Sequence, residues 1–346
     1  MPESSADVNK KILNLYESLQ NVDEIDVEPT EKTLELEIDN VKLYHYRQRK
    51  RKKCPVPLLI VYALVNRYYM MDIQKDKSFI KKLLENGLDV YIIDWGYAER
   101  ADRYLTMEDY INGYMDDCVE HLKNKYKIDK INLLGVCQGG TFSVIYSALY
   151  PEKIKNLVTM VTPVDFDTED GLLNIWAKYI DVDELADVNG NISGDFMNIG
   201  YLMLKPFQLN FQKYYNFIKN SESVDDVKDF LRMEKWIFDS PDQAGETFKQ
   251  FIKELYQQNK LVKGTFKLDG KTVNLKRISM PILTIFAEQD HLVPPASTKP
   301  LNDLVSSEDK TMISFKGGHI GIYVSSRSQK ELAPAVAKWV SERSTN

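Results

Sequence analysis

The sequence is poor in cysteine: only three occur in 346 residues, and they lie far apart. An odd number at such spacing fits neither a disulfide framework nor a zinc site. No apolar run approaches the ~20 residues that a membrane-spanning helix needs, and the first residues lack the apolar segment of a signal peptide. These absences predict a cytoplasmic protein without a membrane span, in a compartment where a thiol stays reduced.

An excess of positive charge is also lacking, because the formal net charge is −6. The chain therefore has no overall attraction to nucleic acid. One basic run, at 47–53, stands out locally. We interpret it as a solvated loop; the alternative is a site for polyanions or for the phosphates of a coenzyme.

From residue 57 onward, apolar segments alternate with amphipathic ones. Strands are predicted at 57–65, 88–96, 131–134, 154–161, 281–287 and 310–315, the first two of them as buried strands. Strands that are apolar throughout and alternate with helices predict an α/β protein, with a mostly parallel sheet and helices on both faces.

Turn and cap residues predict the local boundaries. The residues Asp39-Asn40 separate two alternating segments, 33–38 and 41–46, and indicate a β-hairpin. A helix is predicted over 8–20, and Asp76 is placed to cap the helix whose apolar face begins at Phe79.

The alternation stops between residues 163 and 279. This stretch is rich in aromatic residues and amphipathic helices, and it contains a second predicted hairpin that turns at Asp269-Gly270. It is far too long for a loop inside a compact core, so we interpret it as an inserted cap or lid domain. The predicted division is an N-terminal helix with the start of the hairpin at 1–40, the first part of the core at 41–162, the cap at 163–279 and the second part of the core at 280–346.

The segment 130–150 contains the most informative turn. A short apolar run is followed by GVCQGG and then by helical spacing. A strand, a sharp glycine-flanked turn and a helix are the context of the nucleophile elbow in α/β-hydrolases. The nucleophile in this turn has a strained backbone conformation. Side chains at the flanking positions would clash with neighbouring backbone, and glycine avoids such clashes. We therefore expect an α/β-hydrolase fold with Cys137 as the nucleophile, where serine is usual.

Two more residues complete a triad in the chain order nucleophile, acid, histidine. Asp290 follows the strand predicted at 281–287, and His319 follows the one at 310–315. His291 adjoins the acid and competes for the role of base. Because the base in this topology comes after the last core strand, we assign that role to His319.

A thiol at the elbow favours the exchange of acyl groups between thioesters, since the acyl-enzyme is then close in energy to its substrate. The reactive form is the thiolate, which a helix N-terminus and a neighbouring imidazole both favour. The oxyanion of the tetrahedral intermediate needs hydrogen-bond donors. We expect the backbone N–H of Gln138 and that of Val65 or Asn66, in the loop after the strand that begins at 57, to supply them.

The elbow GVCQGGT resembles the cysteine-containing box of the polyhydroxyalkanoate (PHA) synthases. Other matching segments are YALVNRYYMMD (62–72), YIIDWG (91–96), LVTMVTPVDF (157–166), FLRMEKWIFDSPDQAGE (230–246), AEQDHLVPP (287–295) and GGHIGIYVS (317–325). The short length and the cap segment resemble class III catalytic subunits, which work with a second, distinct protein subunit. Class IV synthases are similar in size and remain the alternative.

The resemblance implies polymerisation of (R)-3-hydroxyacyl-CoA, such as 3-hydroxybutyryl-CoA, with release of CoA. His319 would activate Cys137 to take the acyl group, and Asp290 would orient His319 or assist deprotonation of the 3-hydroxyl. No cofactor is implied, because CoA is part of the substrate and a product. The resemblance also implies a location at the surface of PHA granules and homo-oligomerisation of the catalytic subunit.

Two other functions are compatible with the same residues. One is a cysteine-dependent thioesterase or lactone hydrolase of this fold, in which water is the final acyl acceptor. The other is a granule-binding subunit without catalytic activity, in which Cys137 takes part in no chemistry.

Overall fold

The computed structural model describes residues 5–22, 24–47, 54–221 and 223–345. Of the basic run at 47–53, only Arg47 lies within these ranges, and it pairs with Glu31. The interpretation of the rest of that run as a solvated loop falls outside the described residues.

An eight-stranded sheet forms the centre of the described chain. Its strands are β1 Lys32–Ile38, β2 Val41–Tyr46, β3 Leu58–Val61, β4 Val90–Asp94, β5 Ile131–Val136, β6 Ile154–Met160, β7 Ile282–Ala287 and β8 Lys310–Phe315. The order across the sheet is β1-β2-β4-β3-β5-β6-β7-β8. Strands β1 and β2 pair with each other, and β2 pairs with β4, in antiparallel fashion. All other neighbours are parallel, which confirms the predicted sheet.

Helices lie on both faces of the sheet, and the described residues contain fourteen α-helices in all. They are α1 Ser5–Gln20, α2 Phe79–Glu85, α3 Asp116–Tyr126, α4 Gln138–Leu149, α5 Leu172–Ala177, α6 Val182–Asn189, α7 Gly194–Met203, α8 Lys213–Asn220, α9 Val224–Phe238, α10 Gly245–Gln250, α11 Pro295–Thr298, α12 Leu301–Leu304, α13 Gly321–Val324 and α14 Ala333–Arg343. The apolar residues of α3 and α4 belong to one core cluster. Those of α2 and α14 belong to the other, so the sheet separates two hydrophobic layers.

Shorter elements complete the description. The π-helical turns are Asp109–Met115, Phe207–Gln212, Phe251–Gln257 and Ser328–Leu332, and the 3₁₀ turns are Tyr68–Met71, Arg100–Tyr104, Pro151–Lys153 and Leu275–Arg277. Two small ribbons pair Asp72–Gln74 with Lys77–Ser78 and Lys267–Leu268 with Lys271–Thr272. Within the described ranges, no helix is both long and apolar enough to cross a membrane.

The residue that caps α2 differs from the prediction. The hydroxyl of Ser78 accepts the backbone N–H of Lys81 at 2.9 Å, so Ser78 is the N-cap. Asp76 instead accepts a hydrogen bond from the side chain of Gln74 at 2.8 Å. The prediction was wrong because Asp76 lies in the turn of a small ribbon, two residues too early to reach the helix.

Both predicted hairpin turns are confirmed. Asp39 joins β1 to β2 with φ of 52°, and Asp269 and Gly270 join the second ribbon with φ of 50° and 68°. Left-handed values of this kind are what a two-residue hairpin requires, and Asp, Asn and Gly adopt them most readily.

The chain between β6 and β7 contains helices α5 to α10. Helix α1, which includes the helix predicted over 8–20, packs against α8 and α9 of this insert. The side chain of Lys11 donates to the carbonyl of Lys219 at 3.0 Å. The position of the insert in the topology agrees with a cap; its bounds at 163–279 remain a prediction.

The turn between β5 and α4 brings the helix very close to the end of β3. A Cβ atom on Gly139 would overlap the carbonyl oxygens of Val61 and Tyr62. Cys137, two residues earlier, has φ of 52° and ψ of −122°, a strained conformation for a side chain with a Cβ atom. Glycine at 139 therefore allows the contact that holds Cys137 at the tip of the turn.

The substitution Gly139→Ala should lower the free energy of unfolding by about 1–3 kcal/mol, the usual cost of overpacking a close contact. Gly113→Ala is the matched control, because a Cβ atom there meets nothing within 4 Å. Alanine at 113 should be neutral or stabilising by up to about 1 kcal/mol, since alanine favours the helix. Urea denaturation measures both, and wild-type stability of Gly139→Ala would contradict the close-approach account.

Candidate active site

Cys137 is held by its backbone at the end of β5, as the N-cap of α4. Its N–H donates to the carbonyl of Met160 at 2.9 Å, and its carbonyl accepts the N–H groups of Gly140 and Thr141 at 2.9 and 3.2 Å. The side chain is partly buried. The thiol thus lies at the N-terminus of a twelve-residue helix, where the helix dipole favours negative charge.

Asp290 and His319 form a buried pair on the loops that follow β7 and β8. The Nδ1–H of His319 donates to Oδ2 of Asp290 at 2.7 Å. The other carboxylate oxygen accepts the backbone N–H groups of Leu292 and Val293, both at 2.9 Å. The Asp290 side chain is 0% exposed and that of His319 8%. The carboxylate is therefore fully bonded and fixes the orientation of the imidazole.

Cys137 lies near enough to the imidazole of His319 for its charge to act on it. Burial alone would lower the pKa of His319. The hydrogen bond to Asp290 and the negative charges of Asp290 and Cys137 outweigh burial and raise this pKa to about 10. The structure thus brings the three residues predicted for the triad near one another.

His291, the competing histidine, takes no part in this arrangement. It is half-buried and forms no hydrogen bond within the described residues. Burial and the charge of Lys205 lower its pKa, although Asp290 is its neighbour in the chain. The geometry therefore favours His319 over His291 as the base.

The loop after β3 is attached to the elbow by a side chain that sequence analysis did not single out for this purpose. The Oε1 atom of Gln138 accepts the backbone N–H of Leu64 at 3.1 Å, and the Gln138 side chain is buried. The backbone N–H groups of Val65, Asn66 and Gln138 itself form no hydrogen bond among the described residues. The donors predicted for an oxyanion are the N–H of Gln138 and that of Val65 or Asn66.

The same loop is also fastened to the insert. The side-chain amide of Asn66 donates to Oγ of Ser240 at 2.5 Å and contacts the carbonyls of Trp236 and Ile237 at 3.4 Å. In return, the indole of Trp236 donates to the carbonyl of Arg67 at 2.8 Å. Sequence analysis missed this clamp, although both of its sides lie in segments that carry the family resemblance.

Two family models match the chain. A model described as "alpha/beta hydrolase fold" matches residues 56–326. A model of the poly-beta-hydroxybutyrate polymerase (PhaC) N-terminus matches residues 26–83.

Two similar proteins align with almost the whole chain. The poly(3-hydroxyalkanoate) polymerase subunit PhaC of Allochromatium vinosum is 54% identical over 99% of this chain and 97% of its own length. The subunit of the same name from a Synechocystis species is 50% identical over 97% of this chain and 92% of its own length. This chain belongs to the poly(3-hydroxyalkanoate) polymerase family. It is therefore an acyltransferase.

Solved structures resemble this polymerase in fold alone. A monoacylglycerol lipase from Paleococcus ferrophilus aligns with a TM-score of 0.53 and 18% identity, over 83% of this chain and 96% of the lipase. An α/β-fold hydrolase from Bacillus anthracis aligns with a TM-score of 0.51 and 12% identity, over 91% and 99% of the two chains. They place the polymerase on the α/β-hydrolase fold.

The raised pKa of His319 gives a direct test of its pairing. Burial lowers the pKa of His319, and the negative charge of Asp290 counteracts this effect. The substitution Asp290→Asn removes that charge, so the pKa of His319 should fall below its ordinary value of about 6.5. NMR of histidine-labelled protein measures the titration, and only four histidines contribute signals. In the wild type, His319 should stay protonated through neutral pH. Unchanged titration in Asp290→Asn would contradict the pairing.

Proposed function

We propose that this polymerase transfers the acyl group of a short-chain (R)-3-hydroxyacyl-CoA to Cys137 and then to the 3-hydroxyl of another hydroxyacyl unit. The observation that carries the proposal is the nearness of Cys137 to His319, which is paired with the buried Asp290, in a chain whose relatives are named PHA polymerases. The product is a polyester, and CoA is released.

In the first step the Cys137 thiolate attacks the thioester carbon. The carbon–sulfur bond to CoA breaks, and the departing thiolate takes a proton from the His319 imidazolium. In the second step a 3-hydroxyl attacks the acyl-cysteine, gives its proton to His319 and forms the ester, and the Cys137 thiolate leaves. Atoms and charge balance without a cofactor, because CoA enters as part of the substrate.

Asp290 fits the role of orienting His319 better than that of deprotonating the 3-hydroxyl. One of its oxygens accepts the imidazole N–H and the other accepts two backbone N–H groups. With a side chain that is 0% exposed, it offers a substrate hydroxyl little access. The orienting role is the one this environment supports.

The oxyanion of each tetrahedral intermediate would be bound by backbone N–H groups of Gln138 and of Val65 or Asn66. Support comes from their lack of other partners and from the bond of the Gln138 side chain to Leu64, which ties the two donor segments together. Because Leu64 N–H is already used, the donors available on this loop are those that follow it.

The proposal includes a second synthase subunit of class III type, homo-oligomerisation and a location at the granule surface. An apolar stripe on the insert supports contact with a partner or with the polymer. Its side chains are 51–71% exposed and recur every three or four residues: Phe196, Ile199, Met203, Phe207, Phe211 and Tyr215.

With purified protein and 3-hydroxybutyryl-CoA, CoA should be released and the acyl product recovered as polymer rather than free acid. His319→Ala should reduce CoA release by about 10²–10⁴-fold, the usual contribution of a general base. His291→Ala is the matched control and should keep most of the activity. A thiol assay measures CoA, and methanolysis followed by chromatography measures polymer. Free 3-hydroxybutyrate as the sole product would instead favour a thioesterase, and full activity of His319→Ala would contradict the mechanism.

The link between Gln138 and Leu64 can be tested separately. Gln138→Met removes the acceptor at similar volume, so the donors on the β3 loop should be misplaced and Cys137 acylation by thioester should slow about ten- to hundredfold. Alkylation of Cys137 by iodoacetamide forms no oxyanion and should keep its rate. Equal slowing of both reactions would show a general disturbance of the elbow instead.

A further inference from the structure

Four tyrosines lie near Cys137: Tyr62, Tyr201, Tyr256 and Tyr323. Burial raises the pKa of each phenol, and a negative charge on the nearby Cys137 raises it further. Tyr62 and Tyr323 come from the core, and Tyr201 and Tyr256 come from the chain between β6 and β7. Both parts of the molecule thus contribute phenol groups near the thiol.

These four hydroxyls differ from most other buried tyrosine hydroxyls in the protein. In the described residues, none of them forms a hydrogen bond to protein. Elsewhere, phenols donate to carboxylates, as Tyr69 does to Asp239 at 2.9 Å and Tyr146 does to Asp116 at 2.5 Å. Unpaired phenols are therefore concentrated where the acyl group is expected to lie.

Tyr323 is the most confined of the four. It is 1% exposed, and its hydroxyl is fully buried without a partner. Its ring lies edge-on to that of His319, with centroids 6.2 Å apart, and to that of Tyr62, with centroids 6.4 Å apart. A buried hydroxyl without a partner is costly, and such groups in native structures need an explanation.

A ligand that brings a hydrogen-bond acceptor would satisfy this hydroxyl. In the proposed mechanism the thioester carbonyl oxygen already has backbone donors, at Gln138 and the β3 loop. The ring of Tyr323 lies beside His319 and near Cys137, and therefore beside the acyl group that Cys137 receives. The oxygen on carbon 3 of the acyl group is the remaining acceptor of the substrate near this ring.

We propose that the hydroxyl of Tyr323 donates a hydrogen bond to the oxygen on carbon 3 of the acyl group. Tyr323 thereby distinguishes 3-hydroxyacyl groups from unsubstituted ones when Cys137 is acylated. This assignment rests on the proposed function and adds to it a residue that determines substrate specificity.

The test compares acylation of Cys137 by 3-hydroxybutyryl-CoA and by butyryl-CoA, which lacks the 3-oxygen. Tyr323→Phe deletes only the hydroxyl, so the rate with 3-hydroxybutyryl-CoA should fall about tenfold. The rate with butyryl-CoA should stay the same. The melting temperature should not fall, because the hydroxyl has no protein partner to lose. Rapid quenching and mass spectrometry of the protein measure both rates.

Tyr46→Phe is the matched control. Tyr46 lies in β2, is 0% exposed and also has a buried hydroxyl without a partner, but Cys137 is not among the groups that shift its pKa. This variant should leave both acylation rates unchanged.

The outcomes separate the two proposals. Equal slowing with both acyl groups, or no slowing with either, in Tyr323→Phe would overturn the role given to Tyr323. Failure of the wild-type protein to form an acyl-enzyme with 3-hydroxybutyryl-CoA would overturn the proposed function itself.

Discussion

The close approach of helix α4 to the end of strand β3 is the constraint on which the site depends. Gly139 allows the helix to touch the carbonyls of Val61 and Tyr62, and the turn before it holds Cys137 at φ of 52°. The same approach lets the side chain of Gln138 reach the N–H of Leu64. One packing contact therefore sets the position of the thiol, its exposure at a helix N-terminus and the placement of the loop beside it.

Electrostatics then determine the state of the site. Burial would keep His319 neutral, but Asp290, with three hydrogen bonds to its carboxylate, holds a negative charge next to the imidazole. The imidazolium can then supply the proton that the departing CoA thiolate takes in the proposed mechanism. A polymerase also has to exclude water from the acyl-enzyme. The clamp between Asn66 and the end of α9 attaches the loop after β3 to the insert.

The parts of this protein that sequence predicts are those that depend on local chemistry and on topology. The turns at Asp39 and Asp269 follow from residues that tolerate left-handed backbone, and the order of Cys137, Asp290 and His319 follows from the strands they succeed. Sequence does not reveal the bond from Gln138 to Leu64 or the clamp at Asn66, because each joins segments far apart in the chain. The cap of α2 was predicted at Asp76 and found at Ser78, since the small ribbon before the helix was not foreseen.

The central claim is that Cys137 carries the growing acyl chain. Its most direct test is mass spectrometry of the protein quenched during turnover of 3-hydroxybutyryl-CoA, followed by digestion and sequencing of the peptide that contains the elbow. The account predicts hydroxybutyryl groups, one or several in series, attached to the sulfur of Cys137. Acyl groups found on another residue, or rapid polymer formation with Cys137 unmodified, would contradict it.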